Sequence, residues 1–197
     1  MENNESALRR EGAFMGLSLG VLVVVLTILP MYYYASSSSF WTVIIGPVIT
    51  GFLFPLVIAI LFTFRLRKKI GGYWSFKQAV VSIFMMLLVA AAISSFTGFV
   101  FEKYVEPEMR ERYMRNIANN SIEFMERSGA DAEQIDAQIE KIDEQIAQAG
   151  EVNITNTLRG LGISIIVVFV LALIFAALFK KERPIFQSSD NDPIDQQ

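Results

Sequence analysis

The stretch Leu161–Phe179, LGISIIVVFVLALIFAALF, decides the fold because it contains no charged residue. Fourteen of its side chains are Leu, Ile, Val or Phe, and each of these favours membrane insertion by roughly 0.3–0.6 kcal/mol. A helix of this length, rising about 1.5 Å per residue, nearly crosses a hydrocarbon layer of about 30 Å. The stretch therefore predicts a transmembrane helix.

Three other apolar runs precede this one, and they are Ala13–Leu29, Phe40–Phe64 and Phe76–Phe101. Arg9 and Arg10 precede the first run, as in a signal peptide, but the run is longer than a usual signal core and no A-x-A cleavage site follows it. We predict that it stays in the protein as a transmembrane helix. The apolar run ends at Pro30, and Tyr32, Tyr33 and Tyr34 follow it as an interfacial aromatic group. The second run carries Pro47 and Pro55, which predict a kink.

The composition agrees with a membrane protein and excludes several kinds of chemistry. Of the 197 residues, 53% are hydrophobic and 19% are charged, whereas soluble domains carry about 25% charged residues. The chain has no Cys and no His, so thiolate and imidazole ligands and the common nucleophile and base pairs are absent. We expect a protein that is not an enzyme, with no cofactor and no bound metal, and the lack of a basic face argues against nucleic acid.

The distribution of basic residues predicts the orientation in the membrane, because cytoplasmic flanks retain Lys and Arg during insertion. Ten basic residues fall on one side of a four-span arrangement: Arg9, Arg10, Arg65, Arg67, Lys68, Lys69, Lys77, Lys180, Lys181 and Arg183. On the other side, Ala35–Ser39 is uncharged, and acids outnumber bases between Glu102 and Glu151. Both termini should therefore be cytoplasmic.

The long external segment is predicted to be a helical hairpin. Apolar residues recur at helical spacing between Glu108 and Arg127, and again between Ala132 and Ala149. The second series steps by four, three and four residues, and consists of Ile135, Ile139, Ile142 and Ile146. We interpret these isoleucines as the seam that closes the hairpin, although they could instead contact another protein. Gly129 suits the turn between the helices.

These observations predict an all-α integral membrane protein of four transmembrane helices, with an extracytoplasmic two-helix hairpin between helices 3 and 4. The expected divisions are a cytoplasmic N-terminus (1–12), transmembrane helices 1–3 (13–101), the acidic helical hairpin (102–157), transmembrane helix 4 (158–180) and a disordered cytoplasmic tail (181–197).

Small residues at four-residue spacing predict how the membrane helices pack. Gly12, Gly16 and Gly20 form one such series in helix 1, and Ala90, Ser94 and Gly98 form another in helix 3. Small side chains let two helix backbones approach closely within a membrane. We favour packing within the four-helix bundle over homodimerisation, because three partner helices are present in the same chain.

Two further stretches carry a resemblance to a known family. The first is Gly71, Gly72, Tyr73, Trp74, Ser75, Phe76, Lys77, Gln78 and Ala79. The second runs from Lys103 through Tyr104, Val105, Glu106 and Pro107, with Arg112 and Tyr113 following. In these stretches the chain resembles the bacterial membrane proteins of domain-of-unknown-function family 4199, found mainly in the Bacteroidota, and the likeness extends from Arg9 to Lys181. The resemblance implies a bacterial inner membrane, a periplasmic hairpin and no assigned activity.

The first stretch also has a physical interpretation that does not depend on the family. Gly71 and Gly72 permit a turn, and Ser75 can cap the helix that begins with Lys77 and Gln78. Tyr73, Trp74 and Phe76 are expected at the level of the lipid headgroups.

Two functional hypotheses remain open at the level of sequence. The leading hypothesis is a membrane anchor that presents the hairpin to an envelope protein or to a second copy of the chain. The alternative is a subunit of an oligomeric channel or transporter, suggested by Gly46, Pro47 and Pro55 in helix 2. The absence of charged residues from the membrane cores argues against ion-coupled transport by a single copy.

Overall fold

The computed structural model describes residues 2–149 and 154–182, and the side chains of residues 5–145 and 158–182. The described chain is all-helical apart from turns and an isolated bridge. Its helices are α1 (Glu2–Ser36), α2 (Phe40–Val48), α3 (Phe54–Lys69), α4 (Phe76–Val100), α5 (Met109–Arg127), α6 (Ala132–Ala149) and α7 (Ile154–Phe179). The predicted disordered tail lies outside the described residues, except for its first two positions.

Four helical segments are long and apolar enough to cross a membrane, in agreement with the four predicted spans. They are Glu5–Ser36, Phe40–Lys69, Phe76–Val105 and Leu158–Phe179. The second contains α2 and α3, joined without a break by a π-helical turn at Ile49–Leu53. The third continues α4 through a second π-helical turn at Phe101–Val105.

The helix α1 extends beyond the apolar run that ends at Pro30, and continues through this proline to Ser36. Proline removes one backbone donor from a helix, but helices in a membrane tolerate this loss. Tyr34 consequently lies on the last helical turn, where its side chain is buried.

The irregularity predicted in the second span takes the form of the π-helical turn at Ile49–Leu53. Pro55 has no N–H group and cannot donate a hydrogen bond to the residue four positions earlier. In the preceding turn, the Phe54 N–H donates to the carbonyl of Ile49, five residues back. Such π turns occur often at functional sites.

The helix α4 is central to the membrane bundle. It packs along α1 on one side and α7 on another, whereas α3 packs mainly on α1 and makes few contacts with α4 and α7. The buried core includes Leu19 of α1, Leu66 of α3, Met86 of α4 and Ala172 of α7. Most other apolar side chains of the spans are partly buried or exposed, as expected for helices whose outer faces contact lipid.

The segment between the third and fourth spans contains α5 and α6, which pack on each other. The predicted helices 108–127 and 132–149 correspond to α5 and α6, although Pro107 lies in a turn and α5 begins two residues later. Gly129 occupies the turn between the two helices with a φ of +78°, a backbone conformation that glycine adopts without strain.

Candidate functional site

Close approach of α1 and α4 depends on three glycines in α1. A Cβ atom on Gly12 would lie 2.4 Å from the carbonyl oxygen of Ser82, and one on Gly16 would lie 2.5 Å from that of Met86. At Gly20 a Cβ atom would lie 3.0 Å from the Cβ atom of Ile93. Any side chain at the first two positions would therefore push the helices apart. The series Gly12, Gly16 and Gly20 therefore packs against α4 of the same chain.

The small residues predicted on α4 do not behave as one face. Ala90 is buried, and its Cα atom lies 3.2 Å from where a Gly20 Cβ atom would be. Ser94 lines a cavity, and its hydroxyl is buried without a hydrogen-bond partner. Gly98 has nothing within 4 Å of its Cβ position, so its prediction as a packing residue is wrong. Gly12, Gly16 and Gly20 therefore face α4 directly, whereas Gly98 faces no other helix.

The stretch that carries the family resemblance joins α4 to the end of α7. Gly71 and Gly72 have φ values of +106° and +84°, which allow the chain to turn after α3. Ser75 and Gln78 form a reciprocal capping box at the start of α4. Trp74 is only 2% exposed, so its ring is buried against other parts of the protein.

Trp74 attaches the turn to the last residues of α7. Its Nε1 donates to the carbonyl oxygen of Phe179 at 3.0 Å, and Arg67 donates to the same oxygen at 3.3 Å. The Trp74 backbone N–H donates to the Lys181 carbonyl at 2.9 Å, and the Lys181 N–H donates back at 3.3 Å. These bonds satisfy carbonyl groups that a helix end leaves without partners.

Ion pairs join α1 to the other helices at this same end of the bundle. Lys77 Nζ lies 2.7 Å from Glu5 Oε1, and Lys69 Nζ lies 2.6 Å from Glu11 Oε2. Four of the basic residues that the sequence assigns to one side, Arg67, Lys69, Lys77 and Lys181, thus lie at one end of the molecule. We call it the basic end. Arg183 lies outside the described residues.

At the opposite end, α5 is fixed to the bundle by two asparagines. The Asn116 side-chain amide donates to the backbone oxygens of Tyr34 at 2.7 Å and Ser37 at 2.8 Å. Asn120, which is 5% exposed, donates to Ser37 O at 3.3 Å and to Asn116 O at 2.9 Å. The two amides therefore hold the carbonyl groups at the end of α1.

Aromatic contacts reinforce this attachment of α5. The ring of Phe124 stacks on Phe40, with centroids 4.0 Å apart and an angle of 7° between the planes, and meets Trp41 edge-on. Tyr113 is half-buried near Tyr34, and burial raises the pKa of the Tyr113 hydroxyl above its ordinary value of 10.0, with a smaller contribution from Tyr34. Phe124 thus packs on the start of α2.

The helix α6 contacts α5 and, among the described elements, packs extensively on no other. Its predicted isoleucine seam is only partly buried: Ile142 is 8% exposed and Ile135 is half-buried, but Ile139 is 37% exposed. Ile139 is therefore less covered by α5 than Ile142 is. The side chain of Ile146 lies outside the described residues. The remaining surface of α6 is mainly acidic.

Tyr34 connects α5 to the π-helical turn of the second span. The tyrosine ring fills the space beside Gly46, where a Cβ atom would lie 2.5 Å from the ring. Its hydroxyl lies 3.3 Å from the Thr50 hydroxyl, which in turn donates to the Gly46 carbonyl at 3.2 Å. The sequence interpretation assigned Gly46 to a kink and missed this contact, which only the pairing of α1 with α2 reveals.

A cavity of about 330 Å³ lies beside the π-helical turn. Residues from all four spans line it, including Leu19 of α1, Gly51 of the turn, Ser94 of α4 and Leu171 of α7. The residues that line it are apolar apart from Ser94 and Ser95, and the Ser94 hydroxyl is itself buried. A Cβ atom on Gly51 would meet nothing within 4 Å, so the absence of a side chain there contributes directly to the open space.

Comparison with protein families gives a match over residues 14–181 to the model described as "Protein of unknown function (DUF4199)". The chain belongs to the DUF4199 family. No curated protein and no solved structure matches it. The DUF4199 region of this chain contains all four spans from residue 14 onward, both stretches on which the resemblance was based, and α5 and α6.

For this DUF4199 chain, the structure places the two resembling stretches at opposite ends of the bundle. Trp74 and Ser75 organise the basic end, while Lys103–Pro107 leads into α5, where Arg112 pairs with Glu106 at 2.7 Å. No group of three or more carboxylates or other metal-binding side chains comes together within the described residues. The two features with functional potential are the α5–α6 unit and the cavity.

Proposed function

We propose that this DUF4199 protein is a non-enzymatic membrane anchor that presents α6 to an envelope protein. The observation that carries the proposal is the attachment of α5. Asn116, Asn120 and Phe124 fix α5 to the ends of α1 and α2, whereas α6 is supported by α5 alone among the described elements. A helix held in this way is ordered before a partner arrives, which reduces the entropic cost of binding.

The surface of α6 defines the chemistry of the expected partner. Its exposed acidic residues are Glu133, Asp136, Glu140, Asp143 and Glu144, and Lys141 is the exposed base within the same segment. Ile139 stands among them with 37% of its surface exposed. A partner with an apolar pocket surrounded by Lys and Arg would bury Ile139 and complement the charge. A second copy of the chain would lack this complementarity because its own α6 is acidic.

The proposed location is the bacterial inner membrane, with α5 and α6 in the periplasm and both termini in the cytoplasm. Support comes from the charge asymmetry between the two ends of the bundle. Ion pairs and hydrogen bonds bring Lys69, Lys77 and Lys181 to the basic end, where cytoplasmic flanks retain positive charge. The end that carries α5 has a connection between α1 and α2 with no charged residue.

Site-specific photo-crosslinking in cells tests this function. A photoreactive amino acid at Ile139 is expected to give a discrete crosslink to another protein, while one at Phe96, which is 70% exposed on a membrane span, should not give the same product. Ile139→Asp should abolish binding of the crosslinked partner, and Ala137→Asp, which adds the same charge at another exposed position of α6, should retain it.

Three results would decide against the proposed function. If Ile139 crosslinks only to a second copy of the chain, α6 mediates self-association and does not bind an envelope protein. If no exposed position of α6 gives a crosslink to another protein, α6 does not present a binding surface. Equal loss of binding in the Ile139 and Ala137 variants would show that added charge, not the isoleucine, controls the interaction.

The π-helical turn at Ile49–Leu53 favours a second candidate function, a subunit of an oligomeric channel or transporter. Irregular backbone at membrane depth often lines a pathway. The cavity beside this turn is apolar, which suits hydrocarbon better than ions. Flux of ions or small solutes into liposomes containing the purified protein tests this candidate, and absence of flux from a confirmed oligomer would exclude it.

A further inference from the structure

The cavity beside the π-helical turn results from incomplete packing of α3 against α4 and α7. At the basic end these helices are joined, because Phe62 and Leu66 are buried and Phe64 packs edge-on against Phe179. Toward the α5 end this closure is lost: Gly51 is exposed and Phe52 is 63% exposed. The cavity therefore opens sideways, toward the surroundings of the bundle.

The cavity lies at the depth of the hydrocarbon layer. Ser94 follows Phe76, the first residue of α4, by eighteen positions, which corresponds to about 27 Å along a helix. It precedes Val105, the end of the same span, by eleven positions, or about 17 Å. The mouth of the cavity thus faces acyl chains, and neither headgroups nor bulk water.

Neither vacuum nor water fills this space favourably. An empty cavity loses the dispersion contacts that its lining atoms would make with an occupant. A buried water typically needs two to four polar partners, and the polar side chains of the lining are those of Ser94 and Ser95. The volume of about 330 Å³ falls in the range of small-molecule sites. This volume is too small for a helix of a second copy, since a helix with side chains is about 10–12 Å wide.

We propose that this cavity is a binding site for one acyl chain of a bilayer lipid, which enters sideways past Phe52. Small residues on α4 (Ala90, Ala91, Ser94, Ser95) and Gly51 on the opposite wall provide the space. The chain fills the gap between α3 and α4 and contributes the packing that these two helices do not make with each other. This proposal depends on membrane insertion and is independent of any partner of α6.

Lipid photo-labelling in nanodiscs tests the site. The probe is a phosphatidylcholine that carries a diazirine in the middle of one acyl chain, and labelled residues are identified by mass spectrometry. In the wild-type protein, Ser94 and Ser95 should be labelled several-fold more than Phe96, which faces lipid on the same helix and reports ordinary bilayer contact. Gly51→Phe should place a ring in the cavity and reduce labelling of the two serines to the level of Phe96.

Gly98→Phe is the matched control, because both glycines have nothing within 4 Å of their Cβ positions and only Gly51 lines the cavity. This control should leave the labelling pattern unchanged. If Gly51→Phe fails to fold, Ala91→Leu fills the same cavity from α4. Labelling of the serines no stronger than that of Phe96, or unchanged by a folded cavity-filling variant, would overturn the proposal.

Discussion

Individual glycines determine how closely the first and third spans approach each other. Gly12, Gly16 and Gly20 each place a bare backbone against α4, and Gly46 does the same for the ring of Tyr34. Gly98 and Gly51 lie in similarly apolar sequence but face open space. Glycine therefore allows close helix contact at some positions and leaves open space at others. The spacing of glycines in the sequence distinguishes these two cases only when the partner helix is known.

Replacement of Gly16 provides the sharpest test of the contact between α1 and α4. In Gly16→Leu, the new Cβ atom would lie 2.5 Å from the Met86 carbonyl oxygen and 2.8 Å from the Val89 Cβ atom. We expect a destabilisation of about 1–3 kcal/mol, typical of an overpacked core. Thermal unfolding in detergent measures it. Gly98→Leu is the control and should unfold near the wild-type temperature, so equal behaviour of the two variants would contradict the assigned contact.

Tyr113 gives the attachment of α5 a dependence on pH. Burial holds the folded-state pKa of its hydroxyl above 10.0, so the neutral phenol is favoured when α5 is docked. The resulting stabilisation is complete below pH 10.0 and is lost as the pH rises through the folded-state pKa. We expect protease cleavage within α5 to increase over this alkaline range.

The variant Tyr113→Phe isolates the contribution of this hydroxyl. It cannot ionise, so its protease sensitivity should rise less between pH 10.0 and higher values than that of the wild type. The difference between the ultraviolet titration curves of the two proteins at the phenolate band gives the pKa of Tyr113 itself. A value at or below 10.0 would show that the hydroxyl is not desolvated.

The helix α5 links α6 to the membrane bundle, since it contacts α1 and α2 on one side and α6 on another. Two of its polar side chains are used for attachment, since Asn116 and Asn120 bond the end of α1. Phe124 adds an apolar contact by stacking on the start of α2. A helix that exposes one face to solvent usually attaches by its apolar face. Here the side-chain amides of α5 bond backbone carbonyl groups at the end of α1. Because each amide must meet a particular carbonyl, these bonds fix the position of α5 along its axis relative to α1.

Removal of these amides should release α5 from the bundle. In the double variant Asn116→Ala and Asn120→Ala, the carbonyl groups of Tyr34 and Ser37 lose these donors, and we expect each lost buried bond to cost about 1–3 kcal/mol. Limited proteolysis between Glu108 and Ala149 should become faster while the four spans remain inserted. The exposed Asn119 provides the control, and Asn119→Ala should be cleaved at the wild-type rate.

The helical elements were largely predictable from the sequence, because apolar length identifies a span and helical periodicity identifies an amphipathic helix. The contacts that define the candidate sites were not. Asn116 and Asn120 resemble ordinary surface residues in a sequence, and their role depends on α1 ending at Ser36, beyond the apolar run that identifies the span. The cavity exists because α3 and α4 pack incompletely against each other, and no local sequence pattern predicts incomplete packing between two helices.

The whole molecule has two chemically different ends, and this asymmetry carries the prediction of orientation. Contacts between Glu5 and Lys77 and between Trp74 and Lys181 bring the N-terminal helix, the start of α4 and the end of α7 together at the basic end. Contacts from α5 to Ser37 define the other end. All positions at the basic end must therefore lie on one side of the membrane, and all positions at the end that carries α5 must lie on the other side.

Reporter fusions at both termini should be active as cytoplasmic proteins, and a reporter inserted at Gly129 should be active outside. Gly129 suits insertion because it lies in a turn with open space around its Cβ position. A second insertion at Ser38, in the short connection between α1 and α2, must report the same side as Gly129, since Ser37 accepts hydrogen bonds from α5. Cytoplasmic activity at both sites would invert the orientation. Opposite answers from Ser38 and Gly129 would contradict the four-span arrangement itself, because α5 could not then reach the end of α1.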